Sequence, residues 1–138
     1  MRRLLATAVA LALAGGGAAR AEVAGRWQVP GSAIVVQIEP CGVALCGVLV
    51  SSNRLKADPG AKDVKNKNPA LRGRSLRGIL MLQGFKGGPP AWREGSVYLP
   101  SDGQTYPATL SQEGSETLKL KVCPAGPFCQ TQVLTRVK

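Results

Sequence analysis

The chain has 138 residues, with 18 lysines and arginines against 8 aspartates and glutamates, and its formal net charge is +10. It contains no histidine, which excludes Ser-His and Cys-His nucleophilic catalysis, and we predict no enzyme activity. The length fits a single domain with a modest hydrophobic core.

The first 21 residues have the pattern of a cleaved signal peptide. Residues 1–3 form a short cationic stretch, residues 4–14 are apolar, and Ala19 and Ala21 offer small side chains to a signal peptidase. The apolar run is shorter than the roughly 20 residues that cross a bilayer, so we expect no transmembrane anchoring. The prediction is one mature domain over residues 22–138, periplasmic or secreted, whose net charge is +7 once the three arginines of the leader are removed.

Four cysteines lie in two close pairs, Cys41 with Cys46 and Cys123 with Cys129. They allow three pairings, and for an exported chain we favour the two local disulfides. Neither spacing is typical of zinc sites, and there is no histidine to complete one. We therefore predict no metal and no cofactor.

Short runs rich in β-branched and aromatic residues alternate with turn residues along the mature chain. They predict strands near residues 34–39, 47–50, 78–82, 96–99, 104–106, 117–122 and 130–137. In the run 117–122, leucine and valine alternate with lysine, which predicts one buried and one solvated face. Asp102-Gly103 is a hairpin turn signal. The pattern predicts an all-β, antiparallel up-and-down barrel of about eight strands, because closure removes exposed edges.

One segment, from residue 54 to residue 77, interrupts this rhythm. It holds eight lysines and arginines and two aspartates, for a net charge of +6, and we predict an extended loop. Arg72 and Arg74 would lie on one face of extended backbone, where they could grip a carboxylate or phosphate, with Asp63 and Asn66 nearby. The alternative is a solvated loop in which Asp63, Asn66 and Asn68 order turns.

Two further partners of this basic segment are disfavoured. It has no aromatic residue on which bases could stack, so we expect no nucleic acid partner. Its oxygen-bearing residues lack the spacing of a calcium loop, and the lysines among them would repel a cation.

A set of short motifs runs in order through the chain and resembles domain-of-unknown-function family 2147, small exported bacterial proteins with a lipocalin- or calycin-like barrel. The motifs are Gly25-x-Trp27, Cys41-Gly42-x-x-Leu45-Cys46-Gly47, Asp63-x-x-Asn66-x-Asn68-Pro69, Leu71-Arg72-x-Arg74-x-Leu76-x-Gly78, Gly84-Phe85, Tyr98-x-Pro100-x-Asp102-Gly103-x-x-Tyr106 and Thr135-Arg136.

The resemblance implies a structural role for three residues at the closed end of the barrel. Gly25 and Trp27 open the first strand, and Arg136 near the end of the last strand would pack its guanidinium over the indole. This chain has Leu134 where the family usually has a tryptophan.

These features together predict an exported binding module without catalytic residues. A ligand inside the barrel would contact inward residues such as Ile79, Met81 and Tyr98. An anionic envelope component, either an acidic polymer or a lipid head group, would instead meet Arg72 and Arg74. The alternative is a structural or protein-interaction module without a small-molecule ligand, and the sequence does not fix an oligomeric state.

Overall fold

The computed structural model describes residues 22–138, and the predicted signal peptide over residues 1–21 lies outside them. Eight antiparallel strands pair in chain order, and β8 pairs with β1 to close a barrel. The predicted fold class is therefore confirmed. The strands are β1 (Gly25–Gln28), β2 (Val35–Cys41), β3 (Ala44–Ser51), β4 (Leu80–Gly87), β5 (Ala91–Leu99), β6 (Gln104–Glu113), β7 (Thr117–Ala125) and β8 (Phe128–Arg136).

An up-and-down barrel places alternate connections at opposite ends. The open end, as we name it, carries the connections 29–34, 52–79, 100–103 and 126–127. The closed end carries the connections 42–43, 88–90 and 114–116, together with the start of β1 and the end of β8. Within residues 22–138, no helix has the length and apolarity needed to span a membrane.

Both predicted local disulfides are present, and each ties one hairpin. Cys41 joins Cys46 across the β2–β3 turn at the closed end, with the Cα atoms 5.8 Å apart. Cys123 joins Cys129 across the β7–β8 turn at the open end, with the Cα atoms 4.1 Å apart. The two disulfides fix the conformation of two turns that bury few apolar side chains.

Strand β7 shows the predicted alternation, because Leu118 and Leu120 are buried while Lys121 is exposed. The predicted strand over residues 78–82 is only partly correct. Strand β4 begins at Leu80, and that side chain faces outward with 42% exposure. The strand then continues to Gly87, well beyond the predicted run, because Phe85 gives it a second buried anchor.

We call the connection between β3 and β4, residues 52–79, the covering segment. The predicted extended loop is wrong in detail, because the segment contains helix α1 (Asn53–Ala57), a 3₁₀ turn (Pro69–Leu71) and an antiparallel bridge between Lys62 and Ser75. Four of its apolar residues, Leu55, Ala61, Leu76 and Ile79, are buried against the barrel, whereas Val64 and Leu71 are exposed. Widely spaced apolar anchors thus fold a stretch whose average composition is polar and basic.

Candidate functional site

The inside of the barrel is filled at the closed end. Trp27, Phe85 and Trp92 are each about 1% exposed or less and pack there as the largest core side chains. Strand β5 approaches so closely that a Cβ at Gly95 would overlap the ring of Phe85. Large buried side chains fill this half of the interior, and they form the core that holds the barrel closed.

Three residues predicted to be structural meet at this end. Trp27 pairs with Arg136 between β1 and β8, and the guanidinium carbon lies 4.3 Å from the centre of the indole. Arg136 also donates hydrogen bonds to the backbone oxygens of Ser115 (2.9 Å) and Ala24 (3.1 Å). A Cβ on Gly25 would lie 3.0 Å from the guanidinium, so glycine gives Arg136 its space.

The open half of the interior is different, because it contains a cavity of about 280 Å³. This volume is just below the usual range of ligand pockets, which span roughly 300–1,000 Å³, so only a small ligand would fit. The wall is apolar except for three side chains on β8. The lining residues are Val29, Ile34, Val36, Met81, Leu82, Val97, Leu99, Leu120, Val122, Gln130, Thr131, Gln132 and Leu134.

A second cavity of about 190 Å³ adjoins the first, since both are lined by Ile34, Met81 and Leu99. The covering segment supplies part of its wall through Arg54 and Leu76. The two volumes therefore form an apolar space that starts inside the barrel and continues beneath the covering segment.

Sequence reasoning missed Gln130 and Gln132, which lie on the inner face of β8. Gln130 is opposite Val122 and Gln132 is opposite Leu120, and all four side chains line the cavity. Counting back in steps of two from the buried Leu134 would have placed both glutamines inside. They offer amide donors and acceptors at the mouth of an otherwise apolar cavity.

The predicted residues Asp63, Asn66, Arg74 and Tyr98 come together outside the barrel, where the covering segment meets β5. Asp63 has no exposed surface, and its Oδ1 accepts a hydrogen bond of 2.6 Å from the Tyr98 hydroxyl. Its Oδ2 accepts from Asn66 Nδ2 (2.9 Å) and from Arg74 Nε (3.0 Å). The carboxylate is thus satisfied by three donors, two of them from its own segment and one from the barrel wall.

The network sets the protonation of its members. Burial raises the pKa of Asp63, but the hydrogen bonds from Tyr98, Asn66 and Arg74 and the arginine charge outweigh it, so the pKa lies below its usual value. Burial and the Asp63 carboxylate raise the pKa of Tyr98. Asp63 is therefore an ionised acceptor at neutral pH, and Tyr98 is a neutral donor.

Two geometric expectations for these residues are wrong. Tyr98 was expected to face the barrel interior, but Val97 and Leu99 line the cavity and Tyr98, between them, points outward. Arg72 and Arg74 were expected on extended backbone, but Arg72 ends the 3₁₀ turn with helical angles of φ −67° and ψ −20°. Its Nε donates to the backbone oxygen of Asn66 at 2.8 Å, so it braces the segment.

An outer groove of about 560 Å³ lies beside this network. Lys67 and Arg74 supply its cations, Tyr98 and Leu80 supply apolar surface, and Arg74 lies over the Tyr98 ring with 5.5 Å to its centre. Ile79 and Met81 are buried as predicted, and Met81 lines the inner cavity. Among residues 22–138, no group of three histidine, cysteine, aspartate or glutamate side chains is placed to hold a metal ion.

Comparisons with known proteins agree with this architecture. A sequence model of domain-of-unknown-function family 2147, described as "Uncharacterized protein conserved in bacteria", matches residues 25–136. Protein HP1028 from the human pathogen Helicobacter pylori, whose structure is described as belonging to the lipocalin family, superposes with a TM-score of 0.70 at 22% sequence identity. The superposition covers 82% of this chain and 80% of that chain. No curated protein matches the chain in sequence. The likeness to HP1028 shows a lipocalin-type fold.

Proposed function

Because this chain belongs to domain-of-unknown-function family 2147 and folds as a lipocalin-like barrel, we propose that it binds a small apolar molecule in the open half of its barrel. The observation that carries the proposal is the contrast between the two halves of the interior. The closed half is filled by Trp27, Phe85 and Trp92, whereas the open half keeps an apolar cavity of about 280 Å³.

The chemistry of the wall indicates the class of ligand. Aliphatic side chains and Met81 cover most of the cavity, so transfer of an apolar group from water would be the main driving force. Gln130 and Gln132 at the mouth would hydrogen-bond a polar end of the same ligand. A small amphiphile with an uncharged, hydrogen-bonding head fits this arrangement.

The compartment fits such a role. The two disulfides support a protein that works outside the cytoplasm, in the periplasm or the medium, where cysteines stay oxidised. A barrel that shields an apolar molecule from water is useful in that setting, because an apolar molecule must cross an aqueous space between membranes.

The test uses an uncharged fluorescent probe, N-phenyl-1-naphthylamine, and one pair of variants. Val122→Trp adds a large ring at a half-buried position inside the cavity, and Val133→Trp makes the same change on the outer face of β8. We expect Val122→Trp to weaken probe binding at least tenfold and Val133→Trp to bind like the parent. Equal binding by both variants would place the probe elsewhere and refute the proposal.

A second candidate function is the binding of a small carboxylate or phosphate in the outer groove. It is favoured by the groove of about 560 Å³, in which Arg74 is already oriented by Asp63 and Lys67 is exposed. Arg72 lies close by and adds positive charge. The double change Lys67→Gln with Arg74→Gln removes both cations that line the groove and should abolish binding of phosphate or glucuronate, while Val122→Trp should leave it unchanged. Binding that survives the double change would exclude the groove.

A further inference from the structure

The charge of the described chain is concentrated at one end of the barrel. The covering segment, at the open end, carries eight cations and two aspartates between residues 54 and 77. At the closed end the charges are mixed, because Glu113 pairs with Lys119 at 2.8 Å and Glu94 follows Arg93. The open end therefore presents a positive surface to any large anionic partner.

The same end exposes apolar side chains. Phe128, at the tip of the β7–β8 hairpin, is 77% exposed, and Val64 in the covering segment is 53% exposed. Ile34, in the β1–β2 connection, is 37% exposed. Large apolar side chains flanked by lysine and arginine are typical of surfaces that rest in the interfacial layer of a membrane.

This surface surrounds the entrance to the inner cavity. Ile34 lines both cavities, Arg54 lines the one beneath the covering segment, and Gln130 is two residues from Phe128 on β8. The exposed apolar side chains, the cations and the cavity mouth therefore all lie at the open end of the barrel.

We propose that the open end docks onto an anionic lipid surface. Phe128, Val64 and Ile34 enter the interfacial layer, and exposed lysines such as Lys56 and Lys62 contact the head groups. Docked in this way, the mouth of the cavity faces the lipid layer rather than water. The docking surface stands independently of the cavity ligand, so a barrel that binds no probe could still bind vesicles.

Two matched pairs of variants test the proposal by co-sedimentation with phospholipid vesicles. Phe128→Ser removes the exposed ring at the open end, and Val43→Ser changes a 71% exposed side chain on the disulfide-tied hairpin at the closed end. Lys56→Gln with Lys62→Gln removes two charges from the open end. Lys86→Gln with Arg93→Gln removes two from the exposed surface near the closed end.

The expected results are asymmetric. The parent should bind vesicles that contain anionic phospholipid and should be released by high salt, with weak binding to zwitterionic vesicles. Phe128→Ser and the Lys56/Lys62 change should each lower the partition coefficient about tenfold. Val43→Ser and the Lys86/Arg93 change should leave it within about twofold of the parent.

A second measurement reports insertion directly. A tryptophan introduced by Phe128→Trp should shift its emission to the blue and be quenched by a lipid-borne quencher, and one introduced by Val43→Trp should not. No binding to anionic vesicles at low salt overturns the proposal. So does equal loss from the two ends, or salt-sensitive binding to acidic polysaccharide but not to vesicles.

Discussion

The Tyr98 hydroxyl donates a hydrogen bond of 2.6 Å to Oδ1 of Asp63, although 35 positions separate the two residues in the chain. Tyr98 stands on the outer face of β5, and Asp63 belongs to the covering segment. This contact therefore joins the barrel wall to the basic stretch that the sequence alone left without a fixed structure. Because Asp63 is fully buried, the joint is shielded from competing water.

The turn between β5 and β6 forms a second joint close by. Lys65 Nζ donates to the backbone oxygen of Ser101 at 2.9 Å, and a Cβ at Gly103 would overlap the backbone oxygen of Lys65. Gly103 also has a φ of +72°, which favours glycine on its own account. The covering segment thus rests on the barrel through a buried carboxylate network and a close backbone approach.

The first prediction compares two tyrosines of the β5–β6 hairpin, each of which donates a hydrogen bond to an aspartate. Tyr98→Phe removes the long-range hydrogen bond to buried Asp63 and should lower the free energy of unfolding by about 1–3 kcal/mol. Tyr106→Phe removes a bond to Asp102, which lies four residues away and is partly exposed, and should cost less. Urea unfolding and hydrogen exchange measure both effects.

Hydrogen exchange should also distinguish local loosening of the covering segment from global unfolding of the barrel. Tyr98→Phe should raise amide exchange within residues 52–79 before it affects the barrel strands. If Tyr106→Phe loosened the covering segment as much as Tyr98→Phe, the assigned role of the Tyr98–Asp63 contact would be wrong.

The second prediction concerns pH. The pKa of Asp63 is lowered in the folded chain, so the stability that its ionised form contributes is present above the unfolded pKa of about 3.9 and disappears as pH falls through the folded pKa. Asp63→Asn should therefore cost about 1–3 kcal/mol at pH 7. The difference between parent and variant should shrink progressively below about pH 4.

Asp58→Asn is the matched control for this experiment. Asp58 is exposed and its Oδ1 accepts from Gly60 N in a turn that asparagine can also form, so it should change stability little at either pH. A difference between the parent and Asp63→Asn that stays constant down to pH 2 would contradict the assigned ionised state.

The third prediction concerns barrel closure. Arg136→Lys keeps the charge but loses the planar group over Trp27 and most of the hydrogen bonds to backbone oxygens. The free energy of unfolding should fall by about 2 kcal/mol. Arg26→Lys, one position before Trp27, changes an exposed side chain whose Nε donates to Gln37 Oε1 at 3.2 Å, and it should change stability little. An equal loss of unfolding free energy in both variants would contradict the role of Arg136 in closing the barrel.

The sequence predicted those parts of the fold that follow from local patterns. The alternation over residues 117–122, the Asp102-Gly103 turn and the two close cysteine pairs each depend on neighbours within a few positions. Trp27 and Arg136 lie at opposite ends of the chain, so no local pattern predicts their contact. The family resemblance predicts it instead. All of these predictions are confirmed.

The candidate sites were harder because they depend on which face of the barrel a strand presents. The sequence pattern predicts an inward Tyr98, yet Val97 and Leu99 occupy the inner positions and Tyr98 bonds Asp63 on the outer face. Gln130 and Gln132 were overlooked as polar residues of a final strand, although the register against β7 puts both in the cavity. A one-residue change of phase reverses every assignment of this kind.

Methyl NMR of the folded protein during titration with N-phenyl-1-naphthylamine tests ligand binding inside the barrel most directly. We predict that methyl signals of Met81, Leu120 and Val122 in the open half shift together and saturate with one probe per chain. Leu45 and Leu110, packed in the closed half, should stay in place. Saturable shifts confined to Leu71 and Leu80 in the outer groove, or no saturable shift in the open half, would contradict binding of an apolar ligand inside the barrel.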